Sequence, residues 1–312
     1  MPTAHRAAVP ILCLTLAACG STTAPAPPDP PDSGFPPTLS TLTASTPNAV
    51  LYAPQYPLWT NGSVKTRTIH IPSGQSVNTA NRAAWSFSDG TIFSKTFAYA
   101  QAGGSDRNIE TRFIRWKNGD IETAVYQWRA DQSDADLITG TQPVPVAVTD
   151  IAGNTFDHVI PSAAQCDQCH RVGPTRILGF NELQLNAPLP GGTASQLATL
   201  AAGGLLSAGL PPTPAVIPGD PTTRSIIGYF QGNCVQCHFP GGVFDLTYPN
   251  FFAAVVNQTG PSGATLLAPG NPGASALFTR FASGSMPPLG VQLVDQAFAT
   301  TLQNWIQTHT FP

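Results

Sequence analysis

Two identical short patterns limit this chain more than any other feature. Cys166-Asp167-Gln168-Cys169-His170 and Cys234-Val235-Gln236-Cys237-His238 share the form C-x-x-C-H. The chain has six cysteines, and only Cys13 and Cys19, both close to the N-terminus, lie outside the two pentapeptides. No thiol is left over to form a stabilising disulfide, although the start of the chain reads as an export signal and exported proteins live where disulfides persist. Both segments must therefore fold around whatever their thiols and adjacent imidazoles hold.

Three chemistries use paired thiols at this spacing. Four-cysteine zinc sites usually place their two pairs about 15–20 residues apart. Here the second pair starts far beyond that, and each pair ends in His. A redox-active dithiol expects a thioredoxin-like βαβ setting, which is absent around both motifs. The third chemistry is covalent attachment of c-type haem. One helical turn brings both thiols to the two vinyl groups, and the next residue turns its imidazole to the iron. The expectation is two covalently bound haems, one on Cys166, Cys169 and His170 and one on Cys234, Cys237 and His238. His170 and His238 are the expected iron ligands.

The second motif has further support. Met286 lies beyond it in Ser283-Gly284-Ser285-Met286-Pro287-Pro288, and apart from Met1 it is the sole methionine. A thioether on a Gly/Ser/Pro loop has little core to fill and suits a soft distal iron ligand. Met286 is the expected distal ligand of the second haem. The segment between the motifs offers the first haem neither Met nor His. His158, His70 and His309 remain as outside candidates, and a five-coordinate iron is the other option. Arg171, Arg176, Arg224 and Arg280 are candidate partners for haem propionates, because Arg pairs bidentately with carboxylates.

The N-terminus reads as an export signal. Arg6 precedes an apolar run too short to span a bilayer, which ends in Leu16-Ala17-Ala18-Cys19-Gly20. This ending resembles the lipobox of bacterial lipoproteins, which implies a signal peptide over 1–18 and a lipid anchor on Cys19. Residues 19–47 are rich in Pro, Thr and Ser and read as a tether. Only 10% of residues are charged and the net charge is −3, with no basic run to suit nucleic acid.

Residues 48–160 alternate with period two between turn signals, as expected of a β-sandwich-like domain. Expected strands cover 63–71, 84–87, 91–99, 109–116, 121–128, 143–148 and 155–160. Lys117-Asn118-Gly119-Asp120 is the strongest hairpin signal among them. Asp89, Glu110, Asp120 and Glu122 read as solvated turn or outward strand residues. After Pro161 strand patterning stops. Helices are expected over 195–206, 222–232 and 291–308. The fold class is α+β and multidomain, with a first haem-binding segment over 161–215 and a helical domain over 216–312.

Residues 216–312 resemble a class I cytochrome c domain, with incoming helix, C-x-x-C-H, Met-Pro loop and closing helix in family order. The resemblance implies that the first and last helices cross with Phe230 and Trp305 near the crossing. Ile226 stands where that family has a glycine, and Gly228 is the nearest substitute. The stretch IPSAAQCDQCHRVGPTRILGFNELQLN is similar to a group of bacterial dihaem cytochromes. Their C-terminal module also occurs fused to quinoprotein sugar dehydrogenases. LYAPQYPLWTNGSVKTRTIHIPSG and IETRFIRWKNGDIETAVYQW look like that group's N-terminal half. The resemblance implies electron transfer in the cell envelope between a periplasmic dehydrogenase and a second redox protein, rather than an enzyme. A dihaem peroxidase is the alternative, and it expects motifs farther apart, each in a complete cytochrome domain. A β-domain that docks a partner or carbohydrate is compatible with either.

Overall fold

Six strands form an antiparallel meander: β1 (Val50–Leu51), β2 (Val64–His70), β3 (Ile92–Tyr99), β4 (Arg107–Lys117), β5 (Asp120–Trp128) and β6 (Ala135–Leu137). The computed structural model describes residues 34–82, 84–208 and 213–312. The signal segment and Cys19 lie outside the described residues. Asn118 and Gly119 take φ of 54° and 76° in the β4–β5 turn, which fixes the register Lys117↔Asp120 and Trp116↔Ile121. β7 (Val144–Thr149) and β8 (Thr155–Ile160) pair with each other as a separate hairpin. The expected strand over 84–87 is not formed. β3 pairs with β2, and residues 71–91 make a loop between them with one bridge at Asn78↔Ser86.

Alternation divides the meander into two faces. On the outer face Phe113, Ala124, Tyr126 and Ala135 are covered by Phe35, Leu39 and Leu42. The last two belong to α1 (Leu39–Ala44). This corrects the reading of residues 19–47 as tether, because from residue 34 the chain is part of the folded domain. Phe35, Leu39 and Leu42 recur at helical spacing, and burying each contributes roughly 2 kcal/mol. Tyr126 Oη donates to Pro36 O at 2.7 Å and Leu137 N to Pro37 O at 2.9 Å.

The inner face is covered by the segment that carries the first motif, so the second layer is mixed rather than a second full sheet. α2 (Ala163–His170) lies on β5, with Thr123 Oγ1 donating to Ala163 O at 3.2 Å. Phe180 packs edge-on against Tyr52 and Phe93, at 4.9 and 5.3 Å between ring centroids. α3 (Glu182–Leu185) and α4 (Gln196–Ala202) complete this layer through Leu185, Leu197 and Leu200. The 161–215 segment therefore shares its core with the sheet.

The C-terminal part has its own core. α5 (Pro221–Asn233) begins with Asp220 accepting from Thr222 N and Thr223 N, and with Pro221 in the first turn. α6 (Phe251–Val255), α7 (Ala276–Ala282) and α8 (Gln296–Thr308) follow. Asp295 caps α8 through Phe298 N, so residues 291–294 precede the helix. Phe230 meets Phe298 at 5.9 Å, and Trp305 Nε1 donates to Thr223 Oγ1 at 3.1 Å. The first turn of α5 thus meets the end of α8 and the last turn of α5 meets the start of α8, with Phe230 and Trp305 at opposite ends of their contact.

Residues 52–61 strap these parts together. Ala53 exchanges two hydrogen bonds with the Gln196 amide, at 2.8 and 2.7 Å. Tyr56 N donates to Gln184 Oε1 at 2.9 Å and Trp59 N to Asn233 Oδ1 at 2.7 Å. Asn61 Oδ1 accepts from Gln292 N and Leu293 N at 2.8 and 3.0 Å. A Cβ on Gly228 would collide with the Tyr56 ring, and one on Gly232 with the Tyr56 carbonyl. Gly228 therefore admits the strap and is not the substitute at the α5–α8 contact.

Candidate functional site

α2 presents the first motif. Ser162 and Gln165 form a reciprocal capping box at its start, with Ser162 N donating to Gln165 Oε1 at 3.0 Å. Cys166 is buried in a cluster with Val125, Tyr99 and Ile109, and Cys169 is half-buried. Both thiols are free, and burial pushes both above the ordinary thiol range. They are neutral, packed thiols rather than reactive thiolates.

His170 is held in one orientation. Its Nδ1 lies 2.7 Å from Arg176 O, and because a carbonyl only accepts, Nδ1 carries the proton. Burial lowers the imidazole to about 4 despite that bond, helped by Lys95 and Arg112. A neutral ring with Nδ1–H committed presents the Nε2 lone pair, the state a metal-ligating histidine needs.

The second motif starts where α5 ends. Cys234 is the C-cap, with its N–H donating to Phe230 O at 2.9 Å, and His238 N donates to Cys234 O at 3.0 Å. Cys234 and Cys237 are also free. The His238 ring lies 4.2 Å from Phe244, and its buried Nδ1 finds no hydrogen-bond partner among the described residues. Met286 lines a cavity with Trp59, Tyr229, Asn233 and Phe281. The fold therefore brings Met286 beside the residue that precedes Cys234, while His238 does not line that cavity. Trp59, from the strap, is a wall of this site that sequence spacing does not show.

The two motifs are neighbours. A Cβ on Gly173 would stand 3.4 Å from Gln236 O and 3.7 Å from the Phe239 ring. The Cys237 thiol is raised by burial and, to a lesser degree, by Cys169. Among the described residues no three His, Cys, Asp or Glu side chains converge as a metal-holding set. The four thiols thus stay in two pairs, each with its own histidine.

Each of the three outside histidines has partners of its own. His158 is buried with both nitrogens engaged, at 2.9 Å from Tyr99 Oη and 2.8 Å from Glu110 Oε1. His70 sits at an outer-face position, with Nδ1 2.9 Å from Pro47 O. His309 caps α8 and stacks on Trp305 at 5.0 Å. The candidate propionate arginines are mostly engaged too. Arg171 pairs with Asp167 at 2.8 Å and with Asp120, and Arg176 donates to Arg171 O at 2.9 Å. Arg224 donates to Gly219 O at 2.7 Å, and Arg280 sits in the last turn of α7.

Glu110 is not solvated. It is fully buried and chelates Arg112, at 2.8 and 2.6 Å. Burial alone would raise its carboxyl, but Arg112 and the bonds from Arg112 and His158 outweigh it and hold it at about 2.

No family model matches this chain, and neither the curated proteins nor the solved structures contain a detectable relative. Among the described residues no helix is long and apolar enough to cross a membrane.

Proposed function

We propose that the chain is a dihaem c-type cytochrome that transfers electrons in the bacterial cell envelope. Under this reading it accepts electrons from a periplasmic dehydrogenase, passes them to a second redox protein, and is held at the membrane by lipid on Cys19. The observation that carries the reading is the pair of adjacent C-x-x-C-H motifs with all four thiols free. The chemistry of the donor set fits the group: neutral paired thiols for the vinyl carbons, and a keyed imidazole beside one pair for the iron. When bound, a haem supplies reversible one-electron chemistry at its iron.

The chain's own residues divide the remaining work. Cys166 and Cys169 would anchor the first haem, and Cys234 and Cys237 the second. His170 and His238 would ligate the irons, and the Arg176 carbonyl keeps His170 in the productive tautomer. Met286 would supply sulfur to the second haem, which favours the reduced state. The order of helix, motif, Met loop and helix over 216–312 supports a class I cytochrome c-like module. Tunnelling weakens steeply with distance, so the Gly173–Gln236 contact supports exchange between the haems. Electrons would enter at the first haem, beside the sheet, and rest on the second.

A second reading, peroxidase chemistry at the first haem, is favoured by one observation: both ring nitrogens of His158, the outside histidine nearest the first motif in sequence, are engaged by Tyr99 and Glu110. Turnover of hydrogen peroxide by the reduced protein would select it.

The reading is tested by mass. The denatured protein should keep its Soret band and exceed its polypeptide mass by roughly 1.2 kDa, two haems. Haem that extracts into acidified organic solvent would exclude covalent attachment.

A further inference from the structure

One row of the inner sheet face is cationic. Arg67 pairs across strands with Lys95, and Lys95 with Arg112. The next position in the row, on β5, is Val125, which packs in the same cluster as Cys166. Lys65 is one register step away, opposite Phe97. Lys65 Nζ, Lys95 Nζ and the Arg112 guanidinium carbon lie 5.6, 4.6 and 4.4 Å from the Phe97 ring centre. Like charges directly opposite each other destabilise a sheet. Here three adjacent strands contribute such a row.

The protein itself offers little compensation. Glu110 is the carboxylate paired with this group, and it already serves Arg112 and His158. Lys65 donates to Ser63 O at 2.9 Å. Among the described residues, no carboxylate comes within 4 Å of Lys65, Arg67 or Lys95. Arg67 is 6% exposed, so water does little for it. Four clustered cations against one carboxylate form a site for anions. Burial lowers Lys95 well below the usual lysine range and Lys65 to about 7, with neighbouring cations adding to both. An anion arriving there would restore their charge.

The cations lie beside the first motif. Lys95 and Arg112 are the cations that act electrostatically on both Cys169 and His170. α2 crosses the same face at Thr123, and the row ends at Val125, in the cluster that holds Cys166. We propose that Lys65, Arg67, Lys95 and Arg112 form a carboxylate cradle that receives the propionates of the haem attached to Cys166 and Cys169. This rests on the dihaem reading. For that haem it assigns the role to the sheet rather than to Arg171 and Arg176. A cationic neighbourhood favours the electron-richer state, so the cradle raises the potential of the first haem.

The test uses the full haem-loaded chain. Arg67→Met and Lys95→Met should retain two haems by mass and shift one of the two potentials downward, leaving the other unmoved. Arg67→Lys and Lys95→Arg should restore it, and Lys117→Met should change neither. Stability gives a second readout that survives poor folding of one variant. Lys95→Met should lower the melting temperature of the loaded protein and raise it in a Cys166→Ala/Cys169→Ala background, where the cations face no propionate. Unchanged potentials in both methionine variants, or a stability effect of one sign in both backgrounds, would overturn the cradle. So would inorganic phosphate that shifts the wild-type potential through these residues, since the site would then serve free anions. A wild-type protein with no covalent haem would instead remove the dihaem reading itself.

Discussion

Glu110 and His158 face each other at 2.8 Å in the buried interior of the sheet domain, Oε1 to Nε2. Glu110 is held ionised, so it only accepts, and His158 Nε2 must carry the proton. Nδ1 then accepts from Tyr99 Oη at 2.9 Å. One carboxylate thus organises an arginine, a histidine and, through it, a tyrosine.

The first prediction follows from the sign of the Glu110 shift. Its carboxyl is held at about 2 against an ordinary 4.5. The stabilisation is complete above the ordinary value and is lost as pH falls from there through about 2. The share at stake is roughly 3 kcal/mol. Urea denaturation from pH 7 to pH 2 should show Glu110→Gln less stable at neutral pH and with a shallower acid limb. Superimposable wild-type and variant profiles would remove Glu110 from this role.

His158 is read as structural. His158→Ala leaves the Tyr99 hydroxyl and one Glu110 bond unsatisfied, at a cost of about 1–3 kcal/mol. Under the dihaem reading, its visible spectrum, oxidised and reduced, should match the wild type. A changed spin state or band position would make His158 an iron ligand in the loaded protein.

Under the dihaem reading, Met286→Ala should abolish the weak near-red sulfur-to-iron band and lower one of the two potentials. Little stability should be lost, because Met286 is only half-buried on a loop. Two unmoved potentials would leave Met286 as a cavity wall.

Gly228→Ala and Gly232→Ala occupy helix positions where alanine is ordinarily better by about 1 kcal/mol. Both should nevertheless destabilise, by about 1–3 kcal/mol, because the strap occupies the space. Tyr56→Ala should rescue Gly228→Ala, whose clash is with the ring. It should not rescue Gly232→Ala, whose clash is with the Tyr56 backbone. Thermal melts of the four proteins decide this.

Local chemistry was readable from the chain, and long-range packing was not. The Asn118-Gly119 hairpin, the β7–β8 pair and helices α4 and α5 followed from turn residues, alternation and apolar patterning. Residues 34–47 were missed because Pro and Thr dominate, hiding the Phe35–Leu39–Leu42 stripe. The strap was missed because its partners lie far along the chain and its hydrogen bonds come from Gln and Asn side chains with no periodicity. Glu110 was misread for a related reason. Alternation assigns a side chain to a face but does not show what covers that face. The motif thiols and histidines were legible from spacing alone. The cations beside them became visible only through strand register, which aligns residues from three separate strands.

The strap also bears on the order in which the chain takes shape. Residues 52–61 emerge early, yet the closing partners of Trp59 and Asn61 are Asn233, Gln292 and Leu293. Contacts so distant in sequence form late, because the loop they close must first be gathered in. Until then Asn233, the residue before Cys234, lacks the Trp59 partner that holds it in the finished fold. The last contacts to form are therefore those that fix the end of α5, where the second C-x-x-C-H begins.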